Sequence, residues 1–122
     1  MRLLKKGDYK RVYANGKKKA GRLLRICYLP NEHEQSRFGI SVGKKYGNAV
    51  KRNQLKRWIR EAIRRNKESI DRSLDVIIYT HPRMENVIYD SKAVETDLQK
   101  LLLSLRIRKE IGIYKESNPY QP

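Results

Sequence analysis

Cysteine occurs once in the 122 residues, at Cys27, so the chain can form no internal disulfide and no cysteine-built metal site. Long apolar runs are missing too. The longest are about four residues, against the roughly 18–20 that span a bilayer. The start, Met1 to Gly7, has neither an apolar stretch nor a cleavage site, so no signal peptide is expected. The chain reads as soluble, reduced and cytoplasmic. Histidine is scarce: His33 lies in an acidic loop and His81 precedes a proline, and neither has a partner at ligand or triad spacing. No motif spacing pairs two carboxylates. The chain therefore offers no candidate acid, base or nucleophile. Negative charge is also short, with 13 Asp and Glu against 29 Lys and Arg, a net charge of +16.

That excess is confined to two blocks. Residues 1–25 carry a net +9 and residues 44–65 a net +8, whereas residues 26–43 carry −1 and residues 66–122 balance to zero. Like charge at this density opposes a compact fold unless a polyanion is the intended neighbour. For a small basic domain, nucleic acid is the expected one. The length fits one domain, read as residues 1–110 followed by a tail at 111–122.

The spacing predicts alternating short elements. Asp8 is a plausible N-cap for a first helix bearing Tyr9, Val12 and Tyr13 on one face, stopped at Asn15-Gly16. Leu23 to Leu29 reads as a strand. Phe38 to Gly43 alternates strictly, with Phe38, Ile40 and Val42 facing a core. Its other face is only Gly39, Ser41 and Gly43, which lets something approach the backbone closely. Asn48 can cap a second helix in which Leu55, Trp58, Ile59, Ala62 and Ile63 form an apolar stripe, with Asn66 as its stop. Leu74 to Tyr79 reads as a buried strand, and Val94 to Leu105 as a last helix starting near Asp90 or Ser91. This order implies an α+β sandwich of one sheet and three helices.

The second helix carries the most information. Opposite its apolar stripe, Asn53, Arg57, Arg60 and Arg64 fall together, flanked by Lys56, with Arg52 nearer the boundary. Such like charges at i, i+3 and i+4 repel, and only Glu61 is nearby to offset them. Arginine's planar fork grips phosphate oxygens in pairs, so an RNA or DNA backbone contact is the expected use of this face. Lys44 and Lys45, in the loop before the helix, add to it. Tyr9 and Tyr13 are either core or platforms for unpaired bases, with Lys5, Lys6, Lys10 and Arg11 around them. Arg25 and Cys27 share one strand face and Leu24, Ile26 and Tyr28 the other, with Leu24 and Ile26 the expected buried set.

From Phe38 to Glu61 the sequence closely resembles the bacterial ribonuclease P protein subunit. The run holds that family's Arg-Asn signature as Arg52-Asn53, preceded by Lys44-Lys45 and Gly47-Asn48-Ala49-Val50. Leu4-Lys5-Lys6, Asp8-Tyr9, Val12-Tyr13 and Gly16 resemble the family's opening, where the two aromatics are usually Phe. The resemblance spans residues 3–106. It implies a ribonucleoprotein that removes the 5′ leader from precursor tRNA, with a catalytic RNA using Mg²⁺ and a small protein contacting that RNA and the leader. By position it implies that Arg52, Asn53, Lys56, Arg57 and Arg60 serve the catalytic RNA. The leader would lie in a cleft between the first helix and the sheet, on Tyr9, Tyr13 and one of Arg25, Cys27 or Tyr28. It further implies a two-layer α–β sandwich with a mostly antiparallel sheet and a left-handed βαβ crossover, and no protein oligomer. One departure is Gln54, where the family often has a second Arg.

Two rivals remain at this stage. One is a structural RNA-binding protein such as a ribosomal protein, which composition does not separate from the first reading. The other is a DNA-binding module with its basic helix in a major groove, disfavoured by the lack of a helix-turn-helix partner.

Overall fold

The computed structural model describes residues 2–66, 70, 73–81 and 90–111. In chain order the elements are β1 (Arg2–Leu3), α1 (Lys6–Asn15), β2 (Lys17–Ala20), β3 (Leu24–Pro30) and β4 (Arg37–Ser41). A single 3-10 turn (Lys44–Tyr46), α2 (Ala49–Asn66), β5 (Leu74–Thr80) and α3 (Ser91–Ile111) follow. Of the tail expected at 111–122, Ile111 is the last residue of α3 and the rest lies outside the described residues. No described helix is long and apolar enough to cross a membrane.

The five strands form one sheet in the order β1-β4-β5-β3-β2. The longest ladder, β3 with β5 over seven residues, is antiparallel, as is β2 with β3. The pairings of β1 with β4 and of β4 with β5 are parallel, so the sheet is mixed. The two parallel neighbours β4 and β5 are joined through α2, the expected βαβ unit.

Central position explains β5. Leu74, Val76 and Ile78 face α2 and α3, while Asp75 and Ile77 face α1, and all five are buried. A strand covered on both sides shows no alternation, which is why 74–79 reads as a continuous run. The larger core joins Leu24, Ile26, Tyr28, Phe38, Val76 and Ile78 of the sheet to α2 and α3. Of the two layers expected, these form the main sandwich. Helix α1 adds a partial third layer on the opposite face, where Val12 packs on Cys27 and Ile77.

The α2 stripe is as the spacing predicts. Leu55, Ile59, Ala62 and Ile63 are fully buried, and Trp58 packs at the edge of the same core. Each large aliphatic side chain so buried contributes about 1.5–3 kcal/mol. The Asn48 side chain accepts the Lys51 N–H at 2.9 Å, a true N-cap. Asp90 does the same for α3, accepting the Ala93 N–H at 2.8 Å. For α1 the expectation needs correction. The helix starts at Lys6, and Asp8 sits in its first turn, where its carboxylate accepts the Lys5 N–H at 3.2 Å. Asp8 is drawn inward because it also receives Arg37 at 3.2 Å.

Under the start of α1 lies a buried carboxylate. Asp75 takes both forks of Arg37 (2.9 and 2.7 Å), the Asn31 amide at 2.7 Å and the Arg11 guanidinium. Burial alone would raise its pKa, but the hydrogen bonds from Arg37, then Asn31 and Arg11, outweigh that and hold it at about 2. On the other side of the sheet, Asp97 of α3 accepts the backbone N–H groups of Arg22, Leu23 and Leu24 at 2.7, 3.0 and 2.8 Å. A side chain at Gly21 would meet that carboxylate at 2.5 Å, so the β2–β3 turn requires glycine there.

The bare face of β4 is filled from within. A Cβ at Gly39 would stand 2.6 Å from the Tyr9 ring, whose hydroxyl accepts the Ile40 N–H at 3.2 Å. What approaches the glycine backbone is α1 itself.

Two outcomes are expected. A depressed folded-state pKa stabilises above the ordinary carboxylate value of 3.8 and is lost as pH falls through about 2. Urea unfolding between pH 4 and 2 should therefore show a loss of stability that is much reduced in Asp75→Ala, which is itself weaker by about 3–5 kcal/mol at neutral pH. Gly39→Ala must displace the Tyr9 ring and should cost about 1–3 kcal/mol, read from the shift in the urea midpoint.

Candidate nucleic-acid interface

Two surfaces gather the residues singled out from the sequence. The first is the outer face of α2. Burial of the apolar stripe turns Asn53, Arg57, Arg60 and Arg64 outward, all exposed, with Arg52 and Lys56 half-buried at the margins. Arg57 has a loose contact with Glu61 at 3.7 Å. Arg52, Lys56, Arg60 and Arg64 make no ion pair with a described residue. By contrast Arg65 binds Glu95 of α3 at 3.0 Å and so helps to join the two helices. Gln54 is exposed, off the centre of the Arg face.

The second surface is the sheet face shared with α1, set out in transverse rows. Arg37, Asp75 and Leu29 form one row, beneath the start of α1. Gly39, Ile77, Cys27 and Lys18 form the next, covered by Tyr9 and Val12 apart from the exposed Lys18. Ser41, Tyr79, Arg25 and Ala20 form the third. Part of this third row lines a cleft of about 270 Å³, bounded by Tyr13, Ser41, Gly43, Lys44, Lys45, Tyr46, Tyr79, Thr80 and His81.

Tyr13 and Tyr79 meet edge to face there, centroids 5.7 Å apart at 78°. Gly43 N–H donates to the Thr80 hydroxyl at 3.1 Å, which fixes the Lys44–Lys45 turn against the end of β5. Burial raises the phenol pKa of Tyr13 (opposed by a hydrogen bond with Ser41), Tyr46 and Tyr79. All three rings therefore stay neutral at ordinary pH. Neutral aromatic faces beside two exposed lysines suit bases and phosphates of a single strand.

The structure sorts the leader candidates. Tyr13 and the Lys44–Lys45 pair lie in the cleft. Tyr9 is one helical turn away, its ring seated on Gly39. Cys27 is fully buried beneath α1, where its thiol donates to the Val12 carbonyl at 3.2 Å, and burial raises its pKa. Tyr28 faces the opposite way, 4% exposed in the main core, with the Lys19 ammonium 5.6 Å from its ring. Of the three alternatives on β3, only Arg25 remains partly open on the cleft side. Tyr46, Tyr79 and His81 line the cleft without being singled out by the sequence, whereas Ser41 and Gly43 belong to the bare β4 face expected to admit a close approach. A tyrosine ending an otherwise aliphatic strand was the available signal for Tyr79.

The ribonuclease P family profile matches residues 1–106. The ribonuclease P protein component of Macrococcus caseolyticus is 44% identical over 85 residues, 69% of this chain and 74% of that protein. That of Clostridioides difficile is 36% identical over 112 residues, covering 91% and 93%. Among solved structures, the RNase P protein from Thermotoga maritima superposes with a TM-score of 0.73 at 33% identity, over 84% of this chain and 96% of that one. The Staphylococcus aureus RNase P protein gives 0.71 at 33% identity, over 83% and 91%. An exposed arginine helix, an aromatic cleft flanked by lysines and these matches agree, and the chain belongs to the ribonuclease P protein family, the non-catalytic protein components of the ribonucleoprotein that matures the 5′ end of tRNA.

Proposed function

We propose that the chain works by charge and position on two RNAs at once. The outer face of α2, with Arg52, Asn53, Lys56, Arg57, Arg60 and Arg64, binds the ribonuclease P RNA. The cleft around Tyr13 and Tyr79 holds the single-stranded leader of precursor tRNA. The observation that carries this reading is the Lys44–Tyr46 turn. Its lysines wall the cleft, and two residues later the chain enters α2, so the cleft and the arginine face are contiguous. A substrate leader in the cleft is thereby held beside the RNA bound along the helix.

Bond cleavage belongs to the RNA in this reading. Among the described residues no three His, Cys, Asp or Glu side chains converge on a point where a metal ion could be held. The acidic groups that do lie near the α1 face, Asp8 and Asp75, are bound to arginines. Mg²⁺, in this proposal, is held by the RNA, where it would supply charge stabilisation and an activated water for hydrolysis. The protein's part is to neutralise phosphates, so that the assembled RNA keeps its metal at lower Mg²⁺ concentration. Family membership disfavours the ribosomal-protein alternative.

Adding the chain to a bacterial ribonuclease P RNA should raise precursor-tRNA cleavage at low Mg²⁺, measured as kcat/KM. An unchanged rate sinks this reading. Arg57→Ala and Arg60→Ala should each weaken binding to that RNA by about tenfold and flatten its salt dependence by about one unit of slope or slightly less. Filter binding across a salt series reads both, and unaltered slopes would remove α2 from the RNA contact.

A further inference from the structure

Strands β4 and β5 stop pairing at Ser41 and Tyr79. Past that point the Gly43 N–H donates to a side chain, the Thr80 hydroxyl, at 3.1 Å. Thr80 is itself held fast, 9% exposed and still paired with Leu24 of β3. The Gly43 carbonyl then accepts the Tyr46 N–H at 3.1 Å, which closes the Lys44–Tyr46 turn. One hydroxyl thus joins the rigid end of the sheet to the turn that leads into α2.

The front of the turn is exposed at Lys44 and Lys45 and has no side-chain cap, while its back is held by Tyr46, packed against the main core. Crowding does not force this arrangement. A Cβ at Gly43 would lie 3.6 Å from the Thr80 oxygen, an ordinary contact. Gly43 is exposed, so water can take up its N–H where the hydroxyl is missing. The bond therefore adds little stability, and what it determines is position. That position counts twice. Lys44 and Lys45 wall the cleft, and after Gly47 and Asn48 the chain enters α2, firmly capped by Asn48 on the Lys51 N–H. A turn that pivots about Tyr46 would displace both lysines from Tyr13 and Tyr79, and small misplacements of positioning groups are costly.

We propose that Thr80 is a positioning residue for precursor-tRNA processing. Its hydroxyl acts through the Lys44–Tyr46 turn and not on RNA, and it sets where the two lysines stand between the leader cleft and the arginine face. The proposal rests on the leader reading of the cleft.

Thr80→Val keeps nearly the same shape and removes the acceptor, whereas Thr80→Ser keeps the acceptor. Each variant is assembled with a bacterial ribonuclease P RNA, and holoenzyme affinity is measured for precursor tRNA with a leader of several nucleotides and for mature tRNA without one. The wild-type holoenzyme should favour the precursor. Thr80→Val should lose about fivefold on the precursor and nothing on mature tRNA. Its thermal midpoint and its affinity for the ribonuclease P RNA alone should match wild type, and Thr80→Ser should recover most of the loss. Combined with Lys44→Gln and Lys45→Gln, Thr80→Val should add no further loss, because the groups it positions are gone. A full additional loss in that combination assigns Thr80 to the RNA itself and overturns the proposal. So does wild-type affinity in Thr80→Val, an equal loss on both ligands, or a lowered thermal midpoint with a loss that Thr80→Ser does not recover. Each of these leaves the cleft reading intact. A wild-type holoenzyme that does not distinguish precursor from mature tRNA overturns both.

Discussion

The Asp75 carboxylate is the point on which the α1 side of the molecule hangs. It sits in the central strand, wholly buried, and draws in Arg37 from β4, Arg11 from α1 and Asn31 from the loop after β3. Remove it and, among the described residues, Arg37 and Arg11 are left with Asp8 alone as a carboxylate partner, under a helix otherwise held by the packing of Val12, Tyr9 and Tyr13. A buried ion pair adds little net stability against an apolar substitute, because desolvation nearly cancels the attraction. What it does add is position. Helix α1 sits at one height and one angle over the sheet, and Tyr13 therefore meets Tyr79 at a fixed edge-to-face geometry. The cleft is defined at one end by a charge at the other.

The sheet thus separates two kinds of work. One face is a continuous apolar core shared with α2 and α3, and it fixes the arginines of α2 by holding the opposite side of that helix. The other face is graded, from a closed ionic row, through an apolar row under α1, to an open row of Ser41, Tyr79, Arg25 and Ala20. Apart from Glu61, loosely paired with Arg57, the acidic side chains named above are turned inward: Asp8 and Asp75 onto arginines, Asp97 onto backbone N–H groups. Little negative charge is left beside the cations that meet phosphate, which strengthens long-range attraction to a polyanion.

Much of this is legible in the sequence where a single periodicity governs. The 3.6-residue stripe of α2 and the two-residue alternation of Phe38 to Val42 each give the face turned to the main core, with Trp58, Ile40 and Val42 only partly buried at its edge, and both carry the family resemblance. Legibility fails where a tertiary partner overrides local preference. Lys17-Lys18-Lys19 has poor strand propensity, yet it pairs with β3 because Lys19 finds Ser104 and the Tyr28 ring beneath α3. Asp8 looks like an N-cap, but it stands inside the first turn, shared between the Lys5 N–H and Arg37. Tyr28 and Cys27 are adjacent and equally plausible as ligand contacts. Only the identity of the layer above each face, the main core for one and Val12 for the other, places both out of reach. The rows of the cleft face are invisible in one dimension, since Ser41, Tyr79 and Arg25 are brought together by register alone.

Strand β2 has one more consequence. It forms an edge of the sheet, and its outer backbone groups are a template for another strand. Lys17 and Lys18 stand exposed along it. A second copy laid antiparallel against that edge would set ammonium against ammonium, an unfavourable cross-strand pairing. Among the described residues no strand pairs with that edge, and the same lysines that suit the chain to RNA oppose, by like charge, the addition of a second copy there.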